Sequence, residues 1–190
     1  MGKRRQSRLK KSLKLNTGNK KLFFVFIFLV RFLLMSIPVY LLMHFKTKFF
    51  YLGYFEAQIV AVILNSLKIN SIAFAEWRFP MIAVEGLSQT ILIDSACTGY
   101  RSILALAGLI IAVPNIEWKK RIKGIFYGAI ILFFVNIARI TSTIILGVKF
   151  GDAVFDFTHT FLWREGLIFI VVLLWYLWLK RSKMVLAIAF

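Results

Sequence analysis

The sequence predicts an all-α integral membrane bundle of about 4–6 helices with a short extracytoplasmic β-hairpin. Three observations predict it. Hydrophobic residues make up 60% of the 190 positions and charged ones only 17%, against roughly 45–50% and about 25% in soluble domains; mean hydropathy is +0.79. Lys and Arg number 25 against 8 acids, a formal charge of +17, and the cations fall in short runs beside apolar stretches, as membrane topology requires. Polar residues inside those stretches are few, and each therefore carries information. No polar domain remains to present a nucleic-acid-binding face, so no nucleic-acid partner is expected. The single cysteine, Cys97, excludes an intrachain disulfide, a Cys-based zinc cage and a CxxC redox pair.

Residues 1–21 hold nine Lys/Arg and no acid. They are read as a basic cytoplasmic tail held by anionic membrane lipid. Gly2 suggests myristoylation, but position 6 is Gln6 rather than Ser or Thr. Leu22 to about Phe45 is long enough to span and lacks a small-residue cleavage site, so it reads as a retained first span. Arg31 inside it is expected to snorkel or to face the bundle. A membrane domain then runs over 22–183, followed by a short tail at 184–190.

Within that domain three further stretches read as spans: about Tyr100–Val113, Gly124–Leu146 and Phe161–Leu179. Lys119, Lys120, Arg121 and Lys123 separate the first two, and Lys180, Arg181 and Lys183 follow the last. The positive-inside rule puts both clusters in the cytoplasm and loops 68–95 and 148–160 outside. Residues 50–67 are interrupted by Glu56, Gln58 and Asn65. A full crossing there would put the KKRIK cluster outside, so a partly embedded or re-entrant helix on the outer side is expected. Over 78–94 the alternation of Phe79, Met81 and Ala83, a turn at Gly86, and Thr90–Ile93 predict a hairpin leading into the helix with Cys97. So small a sheet must pack on the helices to be stable.

This topology assigns each polar residue a depth. Cys97 falls at the outer end of its helix. Arg139 lies about 8 residues, roughly 12 Å, from the outer end of its span, and its side chain reaches further outward. His159 begins the last span at the outer face. Three helices thus deliver a thiol, a guanidinium and an imidazole to one side of the membrane. A thiol at a helix N-terminus beside a cation favours thiolate. His159 completes a Cys–His nucleophilic pair, and Arg139 is suited to stabilise an oxyanion. Asn136, one turn before Arg139, would orient it or donate to the oxyanion. Arg101, four residues after Cys97, is read either as support on the same face or as an interfacial arginine. Asp94 and Asp156, each three residues before a candidate, are possible caps or orienting groups. No cofactor is expected, and with only His44 and His159 no metal site is either; His44 reads as interfacial. A GxSxG elbow is absent.

At these residues the sequence resembles the exosortase/archaeosortase family of membrane cysteine transpeptidases. Cys97-Thr98-Gly99 resembles its Cys-Ser/Thr-Gly core, Asn136-Ile137-Ala138-Arg139 its Asn-x-x-Arg, and His159 takes the third place, where archaeal members commonly have arginine. The likeness covers about residues 50–180 in a chain shorter than typical exosortases. It implies catalytic Cys97, Arg139 and His159. The implied substrates are proteins with a C-terminal sorting signal: a motif, a transmembrane helix and a basic tail. The implied setting is the cytoplasmic membrane, with the site facing outward. The alternative from residue chemistry is a non-catalytic membrane scaffold for surface polysaccharide or protein export, in which Cys97 is replaceable.

Overall fold

The structure is a computed structural model that describes residues 22–38, 40–41, 50–77, 79–87, 90–93, 97–159 and 163–182. The two terminal tails, His44 and Asp94 lie outside the described residues, as does part of the first expected span.

Among the described residues six helices and three strands follow in order: α1 (Leu22–Pro38), α2 (Phe50–Ser66), β1 (Ser71–Glu76), β2 (Phe79–Val84), β3 (Ile91–Leu92), α3 (Tyr100–Ala112), α4 (Trp118–Phe150), α5 (Asp152–Phe157) and α6 (Trp163–Arg181). Among them α4 is long and apolar enough to cross a membrane, while α1 and α3 are apolar but shorter. With 33 residues and no proline, α4 is about 50 Å long and organises the fold through two cores. In its N-terminal half, Leu132 packs with Leu106 and Ile110 of α3 and Val171 of α6. Nearer its C-terminal end, Ile137, Ile140 and Ile144 pack with Ala57, Val60 and Leu64 of α2, with Ile82 and Val84 of β2, and with Ile93 and Cys97. Phe126, Phe134, Ile168, Phe169 and Val172 stay exposed on α4 and α6. That much uncovered apolar surface is a liability in water.

The sheet is antiparallel in the order β1-β2-β3, with Ser71 opposite Val84 and Met81 opposite Leu92. The expected hairpin corresponds to β2 and β3. The strand before it, β1, was not anticipated. Within β2 the buried residues are Pro80, Ile82 and Val84. Every residue of FPMIAV is apolar, so alternation alone does not select a face; packing on α2 does. Asn65 fastens the end of α2 to β1, donating to Ser71 O at 2.9 Å and accepting from Ser71 N–H at 2.8 Å.

Arg121 has a role beyond marking topology. Its guanidinium is buried and donates to Ile111 O at 2.6 Å, Val113 O at 2.9 Å and Ile116 O at 3.1 Å. Pro114 stops α3, and Arg121 satisfies the carbonyls left at that end. The Trp118 ring lies 5.1 Å from the guanidinium carbon. Arg31, in contrast, is exposed on α1. Arg121→Lys keeps the charge but loses the fork of donors, so it is expected to lower stability by about 1–3 kcal/mol. Thermal unfolding in detergent checks this, with Lys119→Arg as the unaffected control.

Candidate active site

Cys97 does not sit on a helix. It occupies a buried turn two residues ahead of Gly99, the N-cap of α3. Gly99 has φ +66°, and a Cβ there would stand 3.0 Å from Asn136 Cγ. Both the left-handed backbone and the close approach to α4 therefore require glycine. Across the gap Asn136 Nδ2 donates to Cys97 O at 2.7 Å. A second contact, 3.3 Å, runs from the same nitrogen to Glu56 Oε2 on α2. Gly53, one turn before Glu56, lets α2 approach: a Cβ there would meet Pro80 Cγ at 2.9 Å and Thr98 Cγ2 at 3.4 Å. The turn with the thiol is thus gripped from α4 and α2 at once.

His159 arrives from the other side. It follows α5, in the described residues that end at 159. Its ring stacks on Phe155, with centroids 5.9 Å apart and planes inclined by 2°. Phe155 in turn packs over Gly147 of α4. These contacts place His159 Nε2 3.7 Å from Cys97 Sγ, within sulfur hydrogen-bond reach. Arg139 is buried at 6% exposure and lines a cavity of about 20 Å³ together with Cys97, His159, Thr143 and the β3 segment Ile91–Ile93. That volume suits a single water.

Cys97, Arg139 and His159 therefore converge. Asn136 lies beside them, but its amide is already engaged with the Cys97 carbonyl and Glu56, so it positions the turn rather than waiting for an oxyanion. Arg101 is exposed, its guanidinium carbon 6.0 Å from the Tyr100 ring, and is absent from the cavity lining. Because α3 begins only at Tyr100, Cys97 and Arg101 share no helical face. Glu56 is the residue sequence reasoning missed. In the sequence it reads only as a break in an apolar run, yet it is fully buried against Asn136. A carboxylate inside an apolar helix is itself a signal that a partner must be found. Among the described residues no group of metal-ligating side chains gathers.

Partial burial lowers the affinity of His159 for a proton, the Arg139 charge lowers it further, and Asp156 opposes them. The Cys97–His159 pair holds one proton when it is reactive, and these effects oppose a second. The one-proton form therefore persists to a pH below that of an ordinary histidine, ~6.5. Alkylation of Cys97 by iodoacetamide is expected to show an acid midpoint below about 6.5, and His159→Ala is expected to move it upward toward ~8.5. A midpoint unmoved by that substitution rules the pair out.

Comparison with curated proteins finds no match, and comparison with solved structures finds none. Comparison with protein families finds one: residues 14–179 match the family model described as transmembrane exosortase. That match takes in the Cys97 turn, Arg139 and His159 together with nearly all of the described fold, and the chain belongs to the transmembrane exosortase family.

Proposed function

We propose that the chain is a membrane-embedded cysteine peptidase and transpeptidase that cleaves C-terminal sorting signals of surface proteins and passes the shortened chain to an acceptor. The observation that carries this reading is the 3.7 Å contact between Cys97 Sγ and His159 Nε2, with Arg139 in the same cavity. Catalytic roles go to Cys97, Arg139 and His159. His159 takes the thiol proton, and the thiolate attacks the scissile carbonyl carbon. Arg139 faces the oxyanion that forms. As the tetrahedral species collapses, the C–N bond breaks and the imidazolium returns its proton to the leaving amine. The thioester left on Cys97 is attacked by the acceptor nucleophile, whose proton goes to His159, and the thiolate is released.

A multi-pass arrangement with the site on the outer side is supported by lengths along α4. The Trp178 indole of α6 donates to Lys120 O at 3.2 Å, so the basic ends of α4 and α6 meet, in the cytoplasm by the positive-inside rule. From Lys120 to Arg139 the helix rises about 28 Å, close to the ~30 Å hydrocarbon thickness. The rest of α4 then projects outside, where it packs on the sheet and α5. With 13 residues α3 is only about 20 Å long, so the Cys97 turn enters below the outer boundary as irregular backbone. Such backbone is tolerated at that depth only when enclosed by protein, and Ile93, Cys97 and Thr98 are all buried. A substrate helix docking in lipid then presents the peptide bond above it at the level of the thiol, its basic tail lying on the cytoplasmic side.

In the native host, candidate proteins with a C-terminal helix and basic tail are followed by intact mass. Loss of the tail is expected with the wild-type enzyme and is expected to vanish with Cys97→Ala, a fall of at least 10³-fold for a lost nucleophile. The mass of the new C-terminus separates hydrolysis from transfer. Normal processing by a correctly inserted Cys97→Ala protein leaves the scaffold reading instead.

A further inference from the structure

Glu56 Oε1 and Asn136 Oδ1 are both buried, and neither has a hydrogen-bond partner among the described residues. They belong to two groups already joined once, through Asn136 Nδ2 and Glu56 Oε2 at 3.3 Å. An ionised carboxylate only accepts hydrogen bonds, and so does an amide oxygen. With Glu56 ionised, neither oxygen has a donor among the described residues. With Glu56 protonated, its carboxyl gains an O–H that can donate to an amide oxygen.

The surroundings agree. No salt bridge joins Glu56 to Arg139, although the two are close enough to act on each other electrostatically. Glu56 is the one charged residue of α2. The acids of the sheet packed on that helix, Glu76 and Glu85, are exposed. Asn136 and Arg139 are thus the polar groups that α4 turns toward this carboxyl. An amide wedged between a carbonyl and a carboxyl also has two orientations, and only its partners decide between them. The Cys97 carbonyl needs an N–H, so whatever holds the amide in that sense also holds the nucleophile.

We propose that Glu56 is a positioning residue for Cys97: its protonated carboxyl pairs with the Asn136 amide, Oε1–H donating to Oδ1 while Oε2 accepts from Nδ2, and so directs the other amide hydrogen onto the Cys97 carbonyl. Glutamine has the same donor and acceptor pattern and preserves the pair. Alanine removes it and frees the amide to rotate. The inference rests on the geometry of the site and not on the sorting reaction.

Its test uses the full-length protein in detergent or lipid discs, with no peptide substrate, so failure of the transpeptidase reading leaves it standing. An infrared difference spectrum of wild type minus Glu56→Gln at pH 7 is expected to contain a protonated-carboxyl carbonyl band. Alkylation of Cys97 by iodoacetamide is expected to keep its rate within about twofold in Glu56→Gln and to fall roughly fivefold to tenfold in Glu56→Ala, the effect of about one hydrogen bond. A carboxylate band in place of the acid band overturns the proposal, as does a Glu56→Gln rate as low as a Glu56→Ala rate. Wild-type alkylation in Glu56→Ala overturns it as well. Should Glu56→Ala fail to insert, the spectrum and the Glu56→Gln rate still decide.

Discussion

The hydrogen bond from Asn136 to the Cys97 carbonyl, 2.7 Å long, is the constraint on which the site depends. It ties an irregular turn, with no ladder of its own, to the longest and most regular element of the protein. Gly99 exists in that turn because any side chain would separate the two partners. Gly53 and Glu56 on α2 close the same junction from the opposite side. Remove the amide and the Cys97 carbonyl loses this donor, at a cost of about 1 kcal/mol. The thiol then also loses its fixed relation to His159 and Arg139.

Much of this was legible before the fold was seen, because a membrane turns sequence position into depth. The positions of Cys97, Arg139 and His159 relative to the basic clusters put all three toward one side of the membrane, and the structure brings them around one small cavity. Residues outside the long apolar stretches were harder to place. A run such as FPMIAV has no polar member to mark its outer face, so the parity of β2 was decided by α2 and not by local pattern. Arg121 read as one more cytoplasmic cation, since nothing local distinguishes a guanidinium in water from one closing a helix end. Arg101 appeared to share a face with Cys97 only on the assumption that the helix had already begun. Glu56 announced itself as an anomaly, but its partner lies 80 residues along the chain, and no periodicity reaches that far.

Two cores divide the labour along α4. The one in its N-terminal half, built with α3 and α6, leaves an apolar girdle uncovered, as a lipid-facing surface should. The one nearer its C-terminal end, built with α2 and the sheet, encloses polar groups and leaves apolar residues such as Ile144 and Ile82 fully buried around them. Cys97, Arg139 and His159 line one cavity beside the second core, where the neighbouring charge of Arg139 acts through partly buried surroundings. The same surroundings explain the chemistry assigned to His159. Partial burial and the Arg139 charge favour the neutral imidazole, and Asp156 opposes them.

The central claim is that Cys97 forms a covalent bond to the chain being sorted. The most direct measurement is the intact mass of the enzyme isolated during turnover. An adduct equal to the amino-terminal fragment of the substrate is expected, mapped to Cys97 and released by hydroxylamine as a thioester must be. Processed substrate accumulating with no such adduct, under conditions where acceptor attack is made slow, would contradict it.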